Sequence, residues 1–318
     1  MLAVLLALVA AAGYGCSDFA AGLATRSASV IRVTLLAEAV SVVVVAVALA
    51  VIGAHPPGLR AVIWGSVAGL GNVGGALALY LGFRHAAFSV AGPLSAVGAA
   101  GFSVLAGLLL GERPTALALT GIVLALPAIV AVSASVDARA GERPGGGVAA
   151  APAASDAAPE GPATADAPPE GPAGRGRRRI PAGVSYGLVA GAGFAFLFIG
   201  LDRAGSSSGL WPVFCSQVVA LVAITCVAAF TGDLRLPGRR GGWLAAATGL
   251  TGAPGTILYF LATHRGLLAI VAVITSLYPA VTILLARVVL SERLTRIRLA
   301  GLILAAASVT LIAVSGAG

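Results

Sequence analysis

Ten long apolar runs constrain the fold of this chain more than any other feature of its sequence. Each run is long enough to cross a bilayer as a helix, and none shows the period-two alternation of a membrane β-strand. Because 58% of the residues are hydrophobic and only 10% are charged, a soluble globular protein is excluded. We therefore predict an all-α integral membrane protein with ten transmembrane helices. The runs lie near residues 2–22, 30–52, 61–83, 88–110, 115–134, 182–201, 209–231, 242–262, 266–290 and 297–316.

One segment, residues 136–180, differs from the rest of the chain. It is rich in Pro, Ala and Gly, holds six arginines and six acidic residues, and cannot bury an apolar core. We predict a disordered linker here, between a first five-helix unit (residues 1–135) and a second one (residues 181–318). The other connections are short, so neighbouring helices should run antiparallel.

The two five-helix units are related in sequence. A shift of 180 residues aligns residues 8–135 with residues 188–315 without a gap. Pro57-Gly58-x-Arg60 then falls on Pro237-Gly238-x-Arg240, and Glu112-Arg113-x-Thr115 falls on Glu292-Arg293-x-Thr295. An odd number of spans per unit makes the second copy enter the membrane from the opposite side, which is an inverted repeat. Secondary transporters use this arrangement for alternating access, so transport is the leading hypothesis.

The paired Glu-Arg turns also have a structural explanation. Thr115 and Thr295 are suited to cap the helices that follow them, and the acid–base pairs would lie at the membrane interface. Helix interruptions are predicted separately, because Pro93, Pro254 and Pro279 lie within or near spans and remove backbone hydrogen bonds.

The ten spans, the duplication and the two Glu-Arg turns resemble the drug/metabolite transporter superfamily, specifically its EamA-type ten-helix exporters. The stretch Gly13-Tyr14-Gly15-Cys16-Ser17-Asp18-Phe19 is similar to a family Trp-Gly-x-x-(Asp/Asn)-Phe pattern, with Tyr14 in place of the tryptophan. Arg32, near the start of the second span, also fits the resemblance. It implies export or exchange of a small metabolite, such as an amino acid, and no cofactor.

Three charged residues within the first two spans are candidates for solute binding or ion coupling. Glu38 lies about 12 Å along its span from Ser29, at 1.5 Å per residue, and a charge at that depth is costly. It could bind a proton or a solute amine, or it could be an acid paired with Arg32 or capped by Thr34. For Asp18 we favour a structural salt bridge with Arg32.

Further polar and aromatic residues within spans could line a solute cavity, although ordinary packing is an alternative for each. Ser95 and Thr275 are repeat partners, and Gln217 is one residue out of register with Glu38. The candidates are Tyr14, Asn72, Tyr80, Ser95, Gln217, Tyr259, Thr275 and Tyr278.

Other function classes have little support in the sequence. The arginines are spread over span ends, which argues against nucleic-acid binding, and the cysteines and histidines show no metal-ligand spacing. No HExxH motif, nucleophile elbow or phosphate loop indicates an enzyme. The predicted partners are a small-molecule solute, the lipid bilayer and protons as a coupling ion. A lipid or headgroup flippase, a non-transporting scaffold and an integral-membrane enzyme are the alternatives.

The location expected from these features is the plasma (inner) membrane of a bacterium, crossed many times. Orientation is ambiguous, because cytoplasmic termini would leave only Arg60, Arg113, Arg203 and Arg265 in the inside connections. The positive-inside rule therefore favours external termini, whereas the family resemblance implies cytoplasmic ones. We favour the latter.

Overall fold

The computed structural model describes residues 1–53, 56–85, 88–133, 182–290 and 295–315, and every regular element in these residues is an α-helix. The predicted all-α class is confirmed. The predicted linker and the Glu292-Arg293 turn lie outside the described residues. The helices are α1 (Leu2–Ala24), α2 (Val30–Ile52), α3 (Leu59–His85), α4 (Phe88–Leu109), α5 (Ala116–Ser133), α6 (Ala182–Ala204), α7 (Trp211–Phe230), α8 (Arg239–Thr263), α9 (Leu268–Thr275), α10 (Tyr278–Leu290) and α11 (Arg296–Ser315).

The described helices are those of a multi-pass membrane protein. Nine segments in the described residues are long and apolar enough to cross a bilayer, with α9 and α10 together forming one of them, Leu268–Leu290. The fifth predicted span corresponds to α5, whose apolar part, Ala116–Val132, is shorter than the other nine. Each of the ten predicted runs thus coincides with a helix or a pair of helices, and nine of them reach spanning length.

The ninth predicted span is interrupted between α9 and α10. Pro279 has no N–H, so the carbonyl of Thr275 lacks its usual helical donor four residues later. The backbone tightens there, and Leu277 N–H donates to the Ile274 carbonyl at 3.1 Å. Pro93 and Pro254 behave differently, because α4 and α8 continue through them. Of the three predicted proline interruptions, only the one at Pro279 divides a helix.

Helices from the two units interlock in one bundle. α1 packs on α8, α3 packs on α6 and α7, α2 packs on α7 and α8, and α5 packs on α11. The core between them is built mainly from alanine, glycine and short aliphatic side chains, which let helices approach closely in a bilayer. This arrangement leaves a central space bounded by α1, α2, α3, α6, α7, α8 and the first residue of α10.

Contacts at the two ends of the bundle tie the units together. At one end, which we call the Glu112 side (residues 110–115, 205–210 and 264–267), the Glu112 carboxylate accepts hydrogen bonds from the N–H groups of Leu268 and Ala269. It thereby caps the N-terminus of α9. The predicted helix caps are confirmed, since Thr115 accepts from Ala118 N–H at 3.2 Å and Thr295 accepts from Arg298 N–H at 3.4 Å.

Candidate functional site

A cavity with about 680 Å³ of space, including its opening, lies in the middle of the bundle. On α1, α2 and α3 its lining residues belong to the helix halves that are nearer the Asp233 side, by which we mean the bundle end formed by residues 25–29 and 231–238. The lining residues are Tyr14, Ser17, Asp18, Thr34, Ala37, Glu38, Ser41, Asn72, Ala76, Tyr80, Phe194, Leu197, Phe198, Gln217, Thr248, Gly249, Gly252, Thr256 and Tyr278.

Glu38 is the most buried acid of this cavity, with only 7% of its surface exposed. α2 begins at Val30, so Glu38 lies two turns inside the helix. Its Oε1 accepts a hydrogen bond from the Asn72 side-chain amide at 3.0 Å, whereas its buried Oε2 has no hydrogen-bond partner among the residues that the structure describes. Thr34 does not cap the carboxylate, because its hydroxyl donates to the carbonyl of Val30. Arg32 pairs with Asp233 instead, so neither of the structural partners predicted for Glu38, Arg32 and Thr34, contacts its carboxylate.

The α1 side of the cavity is polar and is held against α8. Ser17 donates its hydroxyl hydrogen to the Thr248 carbonyl at 3.0 Å, and the Tyr14 hydroxyl donates to Thr256 Oγ1 at 3.1 Å. Asp18 is half-buried and lines the cavity. Asp18 on α1 and Glu38 on α2 thus line the same cavity.

The predicted salt bridge between Asp18 and Arg32 is wrong. Arg32 lies in the first turn of α2 and pairs instead with Asp233, in the loop after α7, and the same carboxylate accepts a hydrogen bond from Ser29. This contact joins the two units at the Asp233 side and keeps the guanidinium out of the cavity lining. Arg32 is therefore neither a partner of Asp18 nor part of the central site.

Three other predicted cavity residues lie behind the lining. The Ser95 hydroxyl is 3.1 Å from the Tyr278 hydroxyl, so Ser95 positions a lining residue without lining the cavity itself. Tyr259 is fully buried and stacks on Phe198 with a centroid distance of 4.3 Å. Thr275 is fully buried at the end of α9. Tyr14, Glu38, Asn72, Tyr80, Gln217 and Tyr278, by contrast, do line the cavity.

Several lining residues were not predicted, and the internal repeat held a signal for some of them. Phe194 and Phe198 are the repeat partners of Tyr14 and Asp18, so the 180-residue shift applied to candidate residues would have identified both. Thr256 could have been found as the repeat partner of Ala76 only after Ala76 was known to line the cavity. Thr248 had no comparable sequence signal.

No metal centre is present among the described side chains, since no three His, Cys, Asp or Glu residues there are close enough to hold an ion. The polar groups of the cavity are carboxyl, hydroxyl and amide groups arranged around an aromatic wall. Such a site can bind a small molecule through hydrogen bonds, charge and ring contacts.

Comparison with known proteins shows a similar solved structure and a family match to the second half of the chain. A solved structure, described only as a crystal structure of a protein, is 18% identical with a TM-score of 0.66, and the match covers 97% of this chain and 95% of that one. It supports the fold alone. No curated protein sequence matches the chain. A family model described as the EamA-like transporter family matches residues 181–314. The second half of the chain is therefore similar to the EamA-like transporter family, which belongs to the drug/metabolite transporter superfamily.

Proposed function

We propose that this protein is a secondary transporter that exports or exchanges a small polar solute, such as an amino-acid-like metabolite or a drug, across the plasma membrane. It works by alternating access and uses a proton or solute gradient. The family is one of membrane transporters and not of enzymes, which supports the class. The proposed mechanism depends on two inverted five-helix repeats. They comprise residues 1–135 and 181–318 and are joined by residues 136–180.

The observation that carries the proposal is the symmetry of the cavity lining. Under the 180-residue shift, six pairs of equivalent positions all line the same cavity. They are Tyr14 and Phe194, Ser17 and Leu197, Asp18 and Phe198, Ala37 and Gln217, Asn72 and Gly252, and Ala76 and Thr256. A cavity lined by equivalent residues from both repeats lies at the axis that relates them. A solute bound on that axis can be exposed to either side when the repeats exchange conformations.

Close contacts between the helices follow the same shift, which further supports a two-fold relation. A Cβ added at Gly13 would lie 3.0 Å from Gly255 Cα, and a Cβ added at Gly193 would lie 2.7 Å from Gly75 Cα. The 180-residue shift converts the first of these contacts into the second, with the two repeats exchanged.

Likewise, a Cβ at Gly121 would meet the side chain of Ile312, and one at Gly301 would meet Val132. Such reciprocal contacts are expected of a two-fold axis. Because each repeat has an odd number of spans, the axis lies in the membrane plane.

The cavity in this conformation serves one membrane side. In this proposal the layer that closes it toward the Glu112 side is formed by the buried side chains of Leu201, Tyr259 and Phe260, with Phe198 stacked on Tyr259. Transport requires this layer to open when the Asp233 side closes. The inverted repeat supplies the second conformation, since each repeat can adopt the arrangement of the other.

The proposal is tested by solute flux in the purified full-length protein. Metabolite profiling of cells with and without the gene identifies candidate solutes, and proteoliposomes then measure their exchange and their accumulation under an imposed pH gradient. We expect flux that does not require ATP. Strict dependence on ATP, or movement of labelled lipid without any solute flux, would overturn the proposed function.

A further inference from the structure

The central cavity has an unbalanced charge, and this bears on the class of solute. Its lining includes two carboxyl groups, Asp18 and Glu38, and none of the lining side chains described by the structure is basic. Arg32, the nearest arginine in sequence to Glu38, is held by Asp233 outside the lining. Buried acids without a cationic partner are costly in a medium of low dielectric constant, so a compensating ligand is favoured.

The two carboxylate oxygens of Glu38 differ in their hydrogen-bond partners. The side chain is more than nine-tenths buried and lines the cavity. Its Oε1 receives one hydrogen bond from Asn72, and its Oε2 receives none from the described part of the chain. A carboxylate has about four lone-pair sites and is an acceptor only. The group best matched to it is therefore a hydrogen-bond donor with positive charge, such as an ammonium.

Aromatic side chains complete the same recognition pattern. Tyr14, Tyr80, Tyr278, Phe194 and Phe198 line the cavity together with the two acids. Aromatic rings attract cations through their negative faces and also provide apolar surface for a hydrocarbon body. No described lining residue offers the guanidinium or ammonium that a solute carboxylate would need.

We propose that the transported solute is an organic cation, namely an amine or quaternary ammonium on an apolar or aromatic body, without a free carboxylate. This inference rests on the proposed transport function and narrows it. The ammonium binds between Glu38 and Asp18, and the body lies against the Phe194 and Phe198 wall. A zwitterionic amino acid would place its carboxylate in a cavity of the same charge sign.

A matched series of three compounds tests the charge preference on one molecular skeleton. Tyramine carries only the ammonium, tyrosine carries both charges, and 3-(4-hydroxyphenyl)propionate carries only the carboxylate. Calorimetric titration of the full-length protein in lipid nanodiscs at pH 7 should give tyramine an affinity about tenfold or more above the other two. Equal or tighter binding of tyrosine or the propionate overturns the proposal, as does binding of none.

Variants of the two acids locate the effect. Glu38→Gln and Asp18→Asn should each weaken tyramine binding by about tenfold while changing tyrosine binding less. Asp202→Asn removes an acid of α6 that does not line the cavity and should leave the affinity unchanged, so it serves as the matched control. Unchanged tyramine affinity in both acid variants overturns the proposal. The compound series on the unmodified protein decides the question even if a variant fails to fold.

Failure of this inference and failure of the transport function give different results. Tyrosine flux in proteoliposomes without an amine preference would overturn cation selectivity and leave the transport function standing. Amine-selective binding with no flux of any profiled solute would support the charge preference and overturn transport.

Discussion

The two repeats contribute equivalent positions to the central cavity but opposite chemistry. The first repeat supplies Ser17, Asp18 and Asn72, whereas their partners in the second are Leu197, Phe198 and Gly252. Glu38 likewise corresponds to Val218, which does not line the cavity. In the proposed mechanism the duplicated backbone provides the hinge and the axis, whereas both charged lining residues, Asp18 and Glu38, belong to the first repeat. Symmetry of the scaffold does not require symmetry of the site.

The largest effect is expected from removing the charge of the first repeat. Glu38→Gln should lower solute flux about thirtyfold or more, since losing one partner of a desolvated charge contact costs about 2 kcal/mol or more. Val218→Ala, at the equivalent position of the second repeat, is the control and should change flux less than about twofold. Initial rates in proteoliposomes, at equal amounts of folded protein, measure both. Equal losses in the two variants would contradict the difference between the repeats.

The next largest effect is expected at the close contacts between helices. Equivalent glycine substitutions in the two repeats should both destabilise the protein, but by different amounts. A Cβ at Gly193 would lie 2.6 Å from Gly75 N, whereas a Cβ at Gly13 would lie no closer than 3.0 Å to Gly255 or Thr251. Gly193→Ala should therefore destabilise the protein by about 1–3 kcal/mol and Gly13→Ala by less. Thermal unfolding of the purified protein measures both.

Gly74→Ala is the control for this pair. A Cβ there would meet nothing within 4 Å, so alanine should be neutral or slightly stabilising through its helix propensity. Destabilisation by Gly74→Ala equal to that of Gly193→Ala would show that close approach of the helices is not the cause.

Sequence patterns were sufficient to predict most of the fold, because a bilayer permits few backbone solutions. The second span, expected at residues 30–52, is the helix Val30–Ile52. Local backbone chemistry was less decisive. Prolines 93, 254 and 279 all lack a donor, yet only Pro279 accompanies a break. The packing of neighbouring helices decides whether a proline is accommodated, and sequence does not give that packing.

Prediction of the site succeeded for single residues and failed for their partners. Burial depth along a helix identified Glu38, but its contact with Asn72 depends on how α2 meets α3. Arg32 was assigned to Asp18 because both lie near the same end of neighbouring helices. Its actual partner, Asp233, is 201 residues away in the sequence. Contacts between repeats depend on the tertiary arrangement of the two units, which residue spacing within one unit does not specify.

A smaller effect is expected at a hydrogen bond that only one repeat makes. Tyr14 donates to Thr256, whereas the equivalent pair is Phe194 and Ala76, which have no side-chain polar groups. Tyr14→Phe should cost about 0.6–1 kcal/mol of unfolding free energy. Adding Thr256→Ala reproduces the apolar pairing of the other repeat and should cost little more. A double-mutant cycle measured by denaturant unfolding gives the coupling, and strictly additive losses would contradict a direct bond.

The smallest effect is expected at the loop contact of the Asp233 side, for which the other repeat has no counterpart. Asp233 corresponds to Gly53 and Arg32 to Pro212. The hydrogen bond from Ser29, together with that from Arg32, holds the pKa of the Asp233 carboxyl below its ordinary value. A lowered pKa means that the contact stabilises the folded protein above the ordinary Asp value of about 3.9 and is lost as pH falls through the folded value.

The side chains of Arg32 and Asp233 are 32% and 18% exposed, so salt should weaken the contact. Thermal unfolding of the protein and of Asp233→Asn between pH 7 and acid should therefore differ slightly at neutral pH and converge below about pH 4. A difference that grows on acidification, or that is insensitive to salt, would show that Asp233 does not act through this ion pair.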